Sequence, residues 1–198
     1  MKHTSEWTMQ TFTGKVFNPF SIVEEDISEL DIIHSLANTN RFNGHTVWPY
    51  SVLQHSVLVA EAIPDYSYRE LSVPKALLQL VALLHDAHEA YVGDVIRPLK
   101  FGQSDIQNEY ENVVSLIVLK ALGVQDVDKL KANFWAVIKT ADRRMCATEE
   151  RDLLCPVGEI KRDNPKPFLD KITPWDKDYT IHRFVAALNT YKEALRND

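Results

Sequence analysis

Three stretches of the 198-residue chain carry residues that could do chemistry together: His55, the pair His85-Asp86 with Glu89 and Asp94 close behind it, and Asp142. His85-Asp86 follows ALLQLVALL, the most apolar run in the chain. A carboxylate at the end of a buried helix is costly without a partner. A metal, a cation or several hydrogen bonds must compensate there; the plain alternative is a helix that ends in polar residues at the surface. Adjacent helical residues diverge by about 100°, so the pair meets one ion only near its shared edge.

His55 sits among Val52, Leu53, Val57, Leu58, Val59, Ala60, Ala62 and Ile63. Positions 52, 55, 59 and 62 share one helical face. A lone histidine on such a face is ordinarily a hydrogen-bonded core residue. Asp142 borders an apolar stripe, with Ile138 four residues before it and Met145 three after. Its plain alternative is a surface salt bridge, although the adjacent Arg143 and Arg144 point elsewhere on the helix. Taken together, two imidazoles and two carboxylates from helices that should pack on one another suit one first-row divalent ion: Mn, Fe, Co, Ni or Zn.

These residues need helices to position them. Residues 7–17 alternate loosely around Thr-Gly-Lys and predict a short hairpin or extended arm. Ser28 with Asp31 resembles a capping box ahead of a helix carrying Ile32, Ile33, Leu36 and Ala37. Residues 40–48 read as a loop, and Pro49 suits the first turn of a helix reaching about Ile63. Ser72 and Pro74 open the next helix, whose apolar circumference makes it the central, buried one. Ser104 and Gln107 cap a helix that Gly123 ends. A long helix is expected from about Asp126 to Leu154, on the stripe Val127, Leu130, Phe134, Val137, Ala141 and Met145. Residues 156–177 carry four prolines and read as a loop. A last helix over 178–198 shows Ile181, Phe184, Val185, Leu188 and Leu195. The expected architecture is an all-α helical bundle of six or seven helices, one domain over 1–198, with a short N-terminal arm or hairpin.

Composition bounds the function. The net charge of −6 leaves no broad basic face for duplex nucleic acid. The longest apolar stretch falls far short of the roughly 20 residues a membrane span needs. No secretory pattern opens the chain. The two cysteines, Cys146 and Cys155, have no CxxC spacing, which suggests a reduced, cytoplasmic protein.

The ordered set His55, His85-Asp86 and Asp142, on separate helices, resembles the HD superfamily of metal-dependent phosphohydrolases. The likeness extends to its bacterial 5′-deoxynucleotidase branch and to phage deoxynucleotide triphosphohydrolases, which share an upstream arginine, HDxxE and a Gly-Asp five residues on. Here these are Arg41, His85-Asp86-Ala87-His88-Glu89 and Gly93-Asp94, and VLQHSVLVAE (52–61) resembles the helix of the first ligand. The resemblance covers about residues 28–150 and implies an HD-domain fold. It implies His55, His85, Asp86 and Asp142 as ligands of a divalent metal. It implies Glu89 as the group that positions or deprotonates the attacking water, Asp94 as the contact to the 5′ leaving oxygen, and Arg41 as the phosphate holder. The sequence departs from the branch at Phe42, where a tryptophan tends to help form the sugar pocket, and in the connection Asn43–Tyr50. Ala90 after Glu89 departs from the acid pair of the branch that hydrolyses guanosine alarmones.

Lys100, Arg97, His45 and Phe42 are further candidates for contacting a nucleotide, the first two also reading as surface charges. His88 reads as an exposed helix-end residue. His34 and His182 have no companion pattern, and Trp48 and Trp135 read as core or loop anchors.

Three functional classes follow. The leading one hydrolyses the 5′-phosphate ester of a (deoxy)nucleotide by attack of water at the α-phosphorus, giving nucleoside and phosphate from a monophosphate. The same residues would serve release of triphosphate from a deoxynucleoside triphosphate; the scarcity of cations near the motif (Arg41, Arg97, Lys100) favours the monophosphate. A non-catalytic nucleotide or metal sensor would have lost a ligand or the water-activating acid, yet all are present. A purely structural adaptor accounts for the apolar stripes but not for four convergent ligands. Relatives of this kind are often dimers, which leaves a homo-oligomer open.

Overall fold

The computed structural model describes residues 7–96, 99, 105–124, 126–127, 130, 132–156 and 165–197. A hairpin of β1 (Met9–Gln10) and β2 (Val16–Phe17) comes first, its turn closed by Gly14 at φ +87°. The helices follow: α1 (Glu29–Asn38), α2 (Val52–Glu61), α3 (Ser67–Leu71), α4 (Lys75–Leu83), α5 (Glu89–Val92), α6 (Asp105–Ala121), α7 (Ala132–Leu153) and α8 (Lys177–Asn197). The all-α expectation holds, hairpin included. No described helix is long and apolar enough to cross a membrane.

α2, α4 and α8 pack on one another at the centre, with α1 and α7 against α2. The apolar circumference of α4 does bury it. α2 is buried more completely: eight of its ten residues, polar ones included, are inside. Val52, Leu53, Val57 and Val59 are fully buried, each contributing about 1.5–3 kcal/mol. That apolar burial is what carries His55 into the interior. Its neighbours on the helix are satisfied. Gln54 Oε1 accepts from the Trp175 amide and Nε2 donates to the Thr173 carbonyl, each at 2.9 Å.

Several boundaries differ from the sequence reading. Ser28 caps α1 by accepting from the Asp31 amide at 3.3 Å. The reciprocal half of the box is absent, because the Asp31 carboxylate turns instead to the Thr13 amide (2.7 Å) and hydroxyl (2.8 Å) and pins the hairpin onto α1. α2 is capped by Ser51, not opened by Pro49, which lies ahead of it. α7 begins at Ala132 rather than Asp126: Asp126 adopts φ +51°, and Val127 reaches the core from a turn. Of the 156–177 loop, residues 156 and 165–177 are described, the last of them already in α8. Residues 165–176 lie along α7, where Phe168 and Ile172 amides donate to Thr148 Oγ1 and Asp152 Oδ2. The Ser104–Gln107 cap lies outside the described residues.

Candidate metal centre and its cleft

His85 and Asp86 do not end a helix. α4 stops at Leu83, and the two residues occupy the turn that leads to α5. Freed from helical spacing, they converge. His85 Nε2 lies 3.2 Å from Asp86 Oδ2. His55, at the middle of α2, brings its Nε2 to 3.5 Å from the same oxygen and 3.3 Å from Asp142 Oδ1 on α7. His55, His85 and Asp142 each offer one ligand atom within 4.8 Å of one another.

Both imidazoles face the cluster with the same nitrogen. His85 Nδ1 lies 2.8 Å from the Ala82 carbonyl, and His55 Nδ1 lies 2.6 Å from Glu149 Oε1. A carbonyl or a carboxylate can only accept, so each Nδ1 carries a proton, and Nε2 is the nitrogen left to ligate a metal. Neither Nε2 makes a hydrogen bond, although both are buried. Two orphaned nitrogens among carboxylate oxygens fit a cation. A first-row ion holds N and O ligands at about 2.0–2.2 Å, which sets neighbouring ligand atoms roughly 2.8–3.6 Å apart, from octahedral to tetrahedral geometry. The observed spacings fall close to that range. The Nδ1–H donors to backbone and carboxylate are the outer-shell arrangement that metal-bound histidines need.

The buried charges here act strongly on one another. Burial and Arg41 pull the His55 pKa down, but Glu149 and Asp142 outweigh them and raise it to about 9. Burial would raise the Asp86 carboxyl, yet His85, His55 and Arg41 hold it well below the usual range. Asp142 and Glu149 are likewise held low against burial, Asp142 chiefly by His55 and Glu149 chiefly by Arg41.

The cluster opens into a cleft of about 200 Å³ lined by Arg41, Phe42, Asp86, Glu89, Asp94, Val95, Ile96, Asp142, Cys146 and Glu150. Glu89 begins α5, which is anchored from behind: Tyr91 Oη accepts from the Ser28 amide at 2.9 Å, and the Tyr91 ring packs edge-on against Phe17. Gly93 ends α5 at φ +85° and ψ 158°, a conformation nearly confined to glycine, and turns the chain so that Asp94 reaches the cleft. Arg41 and Phe42 come from a 3₁₀ turn (Arg41–Gly44) in which Phe42 and Asn43 hold positive φ. Arg41 Nη1 lies 3.6 Å from Asp86 Oδ2.

The structure thus gathers Arg41, Phe42, Glu89 and Asp94 around His55, His85, Asp86 and Asp142. It does not gather His45, which is exposed and is not part of this cleft wall. Arg97 and Lys100 lie outside the described residues. His88 is buried rather than exposed, and Trp48 is exposed rather than an anchor. Cys146 lines the cleft and Cys155 is exposed; they are not disulfide-bonded.

The sequence reading missed Glu149. It is fully buried, accepts from His55, from Tyr50 Oη at 2.8 Å and from Arg41 Nε at 3.1 Å, and holds three parts of the site together. A signal existed: it follows Asp142 by seven residues, two turns along the same face of α7.

Residues 26–165, which include all of these side chains, match the protein family described as 5′-deoxynucleotidase YfbR-like. Among individual proteins, the chain is 36% identical over 145 residues to the uncharacterized protein YfdR of Escherichia coli K12, covering 73% of this chain and 71% of that one. It is 34% identical over 154 residues to an uncharacterized protein of Rhodobacter capsulatus, covering 73% of each. It is 29% identical over 133 residues to a 5′-deoxynucleotidase of Enterobacter sp. strain 638, covering 61% of this chain and 65% of that one.

Proposed function

The chain belongs to the YfbR-like 5′-deoxynucleotidase family of nucleotide phosphohydrolases, and on that premise we propose that it hydrolyses (deoxy)nucleoside 5′-monophosphates to nucleoside and phosphate. The observation that carries this reading is the convergence, in one cleft, of a cation-fitting His/Asp cluster with Glu89, Asp94 and Arg41. His55, His85, Asp86 and Asp142 would hold the divalent ion. When bound, such an ion lowers the pKa of water and polarises a phosphoryl oxygen.

The protein's own groups do the rest. Glu89 is buried at the cleft wall, where it takes the proton of the attacking water. Asp94 faces the departing 5′ oxygen as acid or as hydrogen-bond partner. Arg41 holds the phosphate with a charge it never loses. Phe42 lies beside Arg41 and closes the sugar side of the cleft. Among the described lining residues Arg41 is the single cation, against five carboxylates. That balance suits one phosphate better than three.

The test is turnover by the full chain after metal stripping, with Co²⁺, Mn²⁺, Zn²⁺, Fe²⁺ or Ni²⁺ restored, on each NMP, dNMP and dNTP. Metal-dependent release of phosphate from a monophosphate is the expected result. Release of intact triphosphate from a dNTP would move the assignment to a triphosphohydrolase. Nucleotide and metal binding with no turnover would make the protein a sensor.

A further inference from the structure

Apart from the groups assigned above, one buried acid stands at the centre of the site. Glu149 has no exposure at all, yet both of its oxygens are engaged: Oε1 accepts from His55 Nδ1 (2.6 Å) and Tyr50 Oη (2.8 Å), and Oε2 accepts from Arg41 Nε (3.1 Å). We propose that Glu149 is a positioning residue that holds the metal-facing imidazole of His55 and the phosphate-facing guanidinium of Arg41 on one carboxylate. The proposal rests on the reading of His55 as a ligand and Arg41 as the phosphate holder.

Three features favour this over a carboxylate that merely staples α7 to α2. First, Glu149 fixes the imidazole's tautomer. With a proton held on Nδ1, Nε2 is left as the ligating nitrogen, and it faces Asp86 and Asp142, as ligation requires. Second, Glu149 engages Arg41 through Nε, the nitrogen furthest from the tip. The two terminal nitrogens are left for the cleft, and Nη1 already faces Asp86. Third, the Arg41 backbone is tied to the same partner set, because its amide donates to the Tyr50 carbonyl at 3.0 Å. A shift of the carboxylate would therefore move the ligand and the guanidinium together. Buried carboxylates are retained at a desolvation cost, and three donors on one acid are the compensation.

The experiment measures Co²⁺ affinity of the metal-stripped full chain by chelator competition, with the visible absorption bands of the Co²⁺ protein, in wild type, Glu149→Gln and Tyr50→Phe. Glu149→Gln is isosteric but sets an amide nitrogen against either Arg41 or His55. It should weaken Co²⁺ binding about ten- to a hundredfold, alter the Co²⁺ bands, and raise the KM for nucleotide. Tyr50→Phe removes a structural hydrogen bond and keeps both functional ones, so its Co²⁺ affinity and bands should stay near wild type. A folded Glu149→Gln with wild-type affinity and bands overturns the proposal. If that variant does not fold, ¹⁵N spectra of the Zn²⁺-loaded wild type decide: Nδ1 of His55 should be protonated and Nε2 metal-bound, and the reverse overturns it. A wild-type chain that takes up no divalent metal overturns the ligand reading itself, whereas uptake unaffected by Glu149→Gln overturns only the positioning role.

Discussion

Asp142 and Glu149 stand two turns apart on α7 and grip one imidazole from its two sides, Asp142 Oδ1 at 3.3 Å from His55 Nε2 and Glu149 Oε1 at 2.6 Å from Nδ1. One carboxylate faces the cleft and the other lies behind the ring. α7 therefore supplies both a candidate ligand and the group that aims another, and the seven-residue spacing accounts for the pairing.

Glu89 differs from the acids of the cluster in lying on α5 at the cleft wall, buried but outside the His55–Asp142 contacts. Glu89→Gln keeps its size and removes its basicity. kcat should fall by roughly a hundredfold or more, while Co²⁺ affinity and nucleotide binding persist. Steady-state kinetics beside calorimetric nucleotide titration check this; loss of metal together with turnover would make Glu89 a ligand instead.

Arg41 uses Nε for Glu149 and presents its far nitrogens to the cleft. A lysine has one ammonium and cannot serve both ends. Losing one charge-assisted hydrogen bond costs roughly 1.5–3 kcal/mol, so Arg41→Lys should raise the nucleotide KM about ten- to a hundredfold. Initial-rate measurements over a wide substrate range read it. An unchanged KM would take Arg41 out of phosphate binding.

Gly93 holds φ +85° and ψ 158°, and a Cβ built there meets no atom within 4 Å. The penalty for Gly93→Ala is therefore backbone strain alone, about 1–3 kcal/mol. Relief of that strain would swing Asp94 away from the cleft. The variant should melt lower and lose turnover while its Co²⁺ bands stay unchanged, since His55, His85, Asp86 and Asp142 all lie outside the Gly93–Asp94 turn. Thermal melts and Co²⁺ spectra check both halves.

Asp31 gives a pH prediction away from the metal. Burial would raise its carboxyl, but the Thr13 amide and hydroxyl, with Thr11 and Ser28, hold it below its ordinary 3.8. A carboxyl with a lowered folded pKa adds stability above its unfolded value and loses it as the pH falls through the folded one. Docking of the hairpin on α1 should thus be intact at pH 6 and weaken as the pH drops below about 4. Hydrogen exchange at the Thr13 amide reads it directly, because that amide donates to Asp31 Oδ1. Asp31→Asn should lower its protection at pH 6 and flatten the acid dependence; a wild-type amide equally protected at pH 3 would refute the coupling.

The sequence by itself determined the helical class and nominated His55, His85, Asp86 and Asp142 as candidate ligands. His55 interrupts an apolar face, Asp142 borders one, and His85-Asp86 ends an apolar run; such a break in local pattern is visible without any tertiary contact. The same local rule reached Ser28, the hairpin turn and the apolar α4. It failed where burial is set from elsewhere. His88 reads as exposed from sequence, yet the packing of the turn after α4 buries it; His45 reads as a cleft residue, yet the 3₁₀ turn leaves it exposed.

Only the tertiary structure decided how the site is wired. Glu149 meets His55, Tyr50 and Arg41 across 94, 99 and 108 residues of chain, and in sequence it is one more acid on a long helix. Periodicity states which face a residue occupies, but not which partner that face will meet. The convergence of His85 and Asp86 was hidden for a related reason. Helical spacing sets neighbours about 100° apart, and the two reach one point because α4 ends at Leu83, before the pair begins.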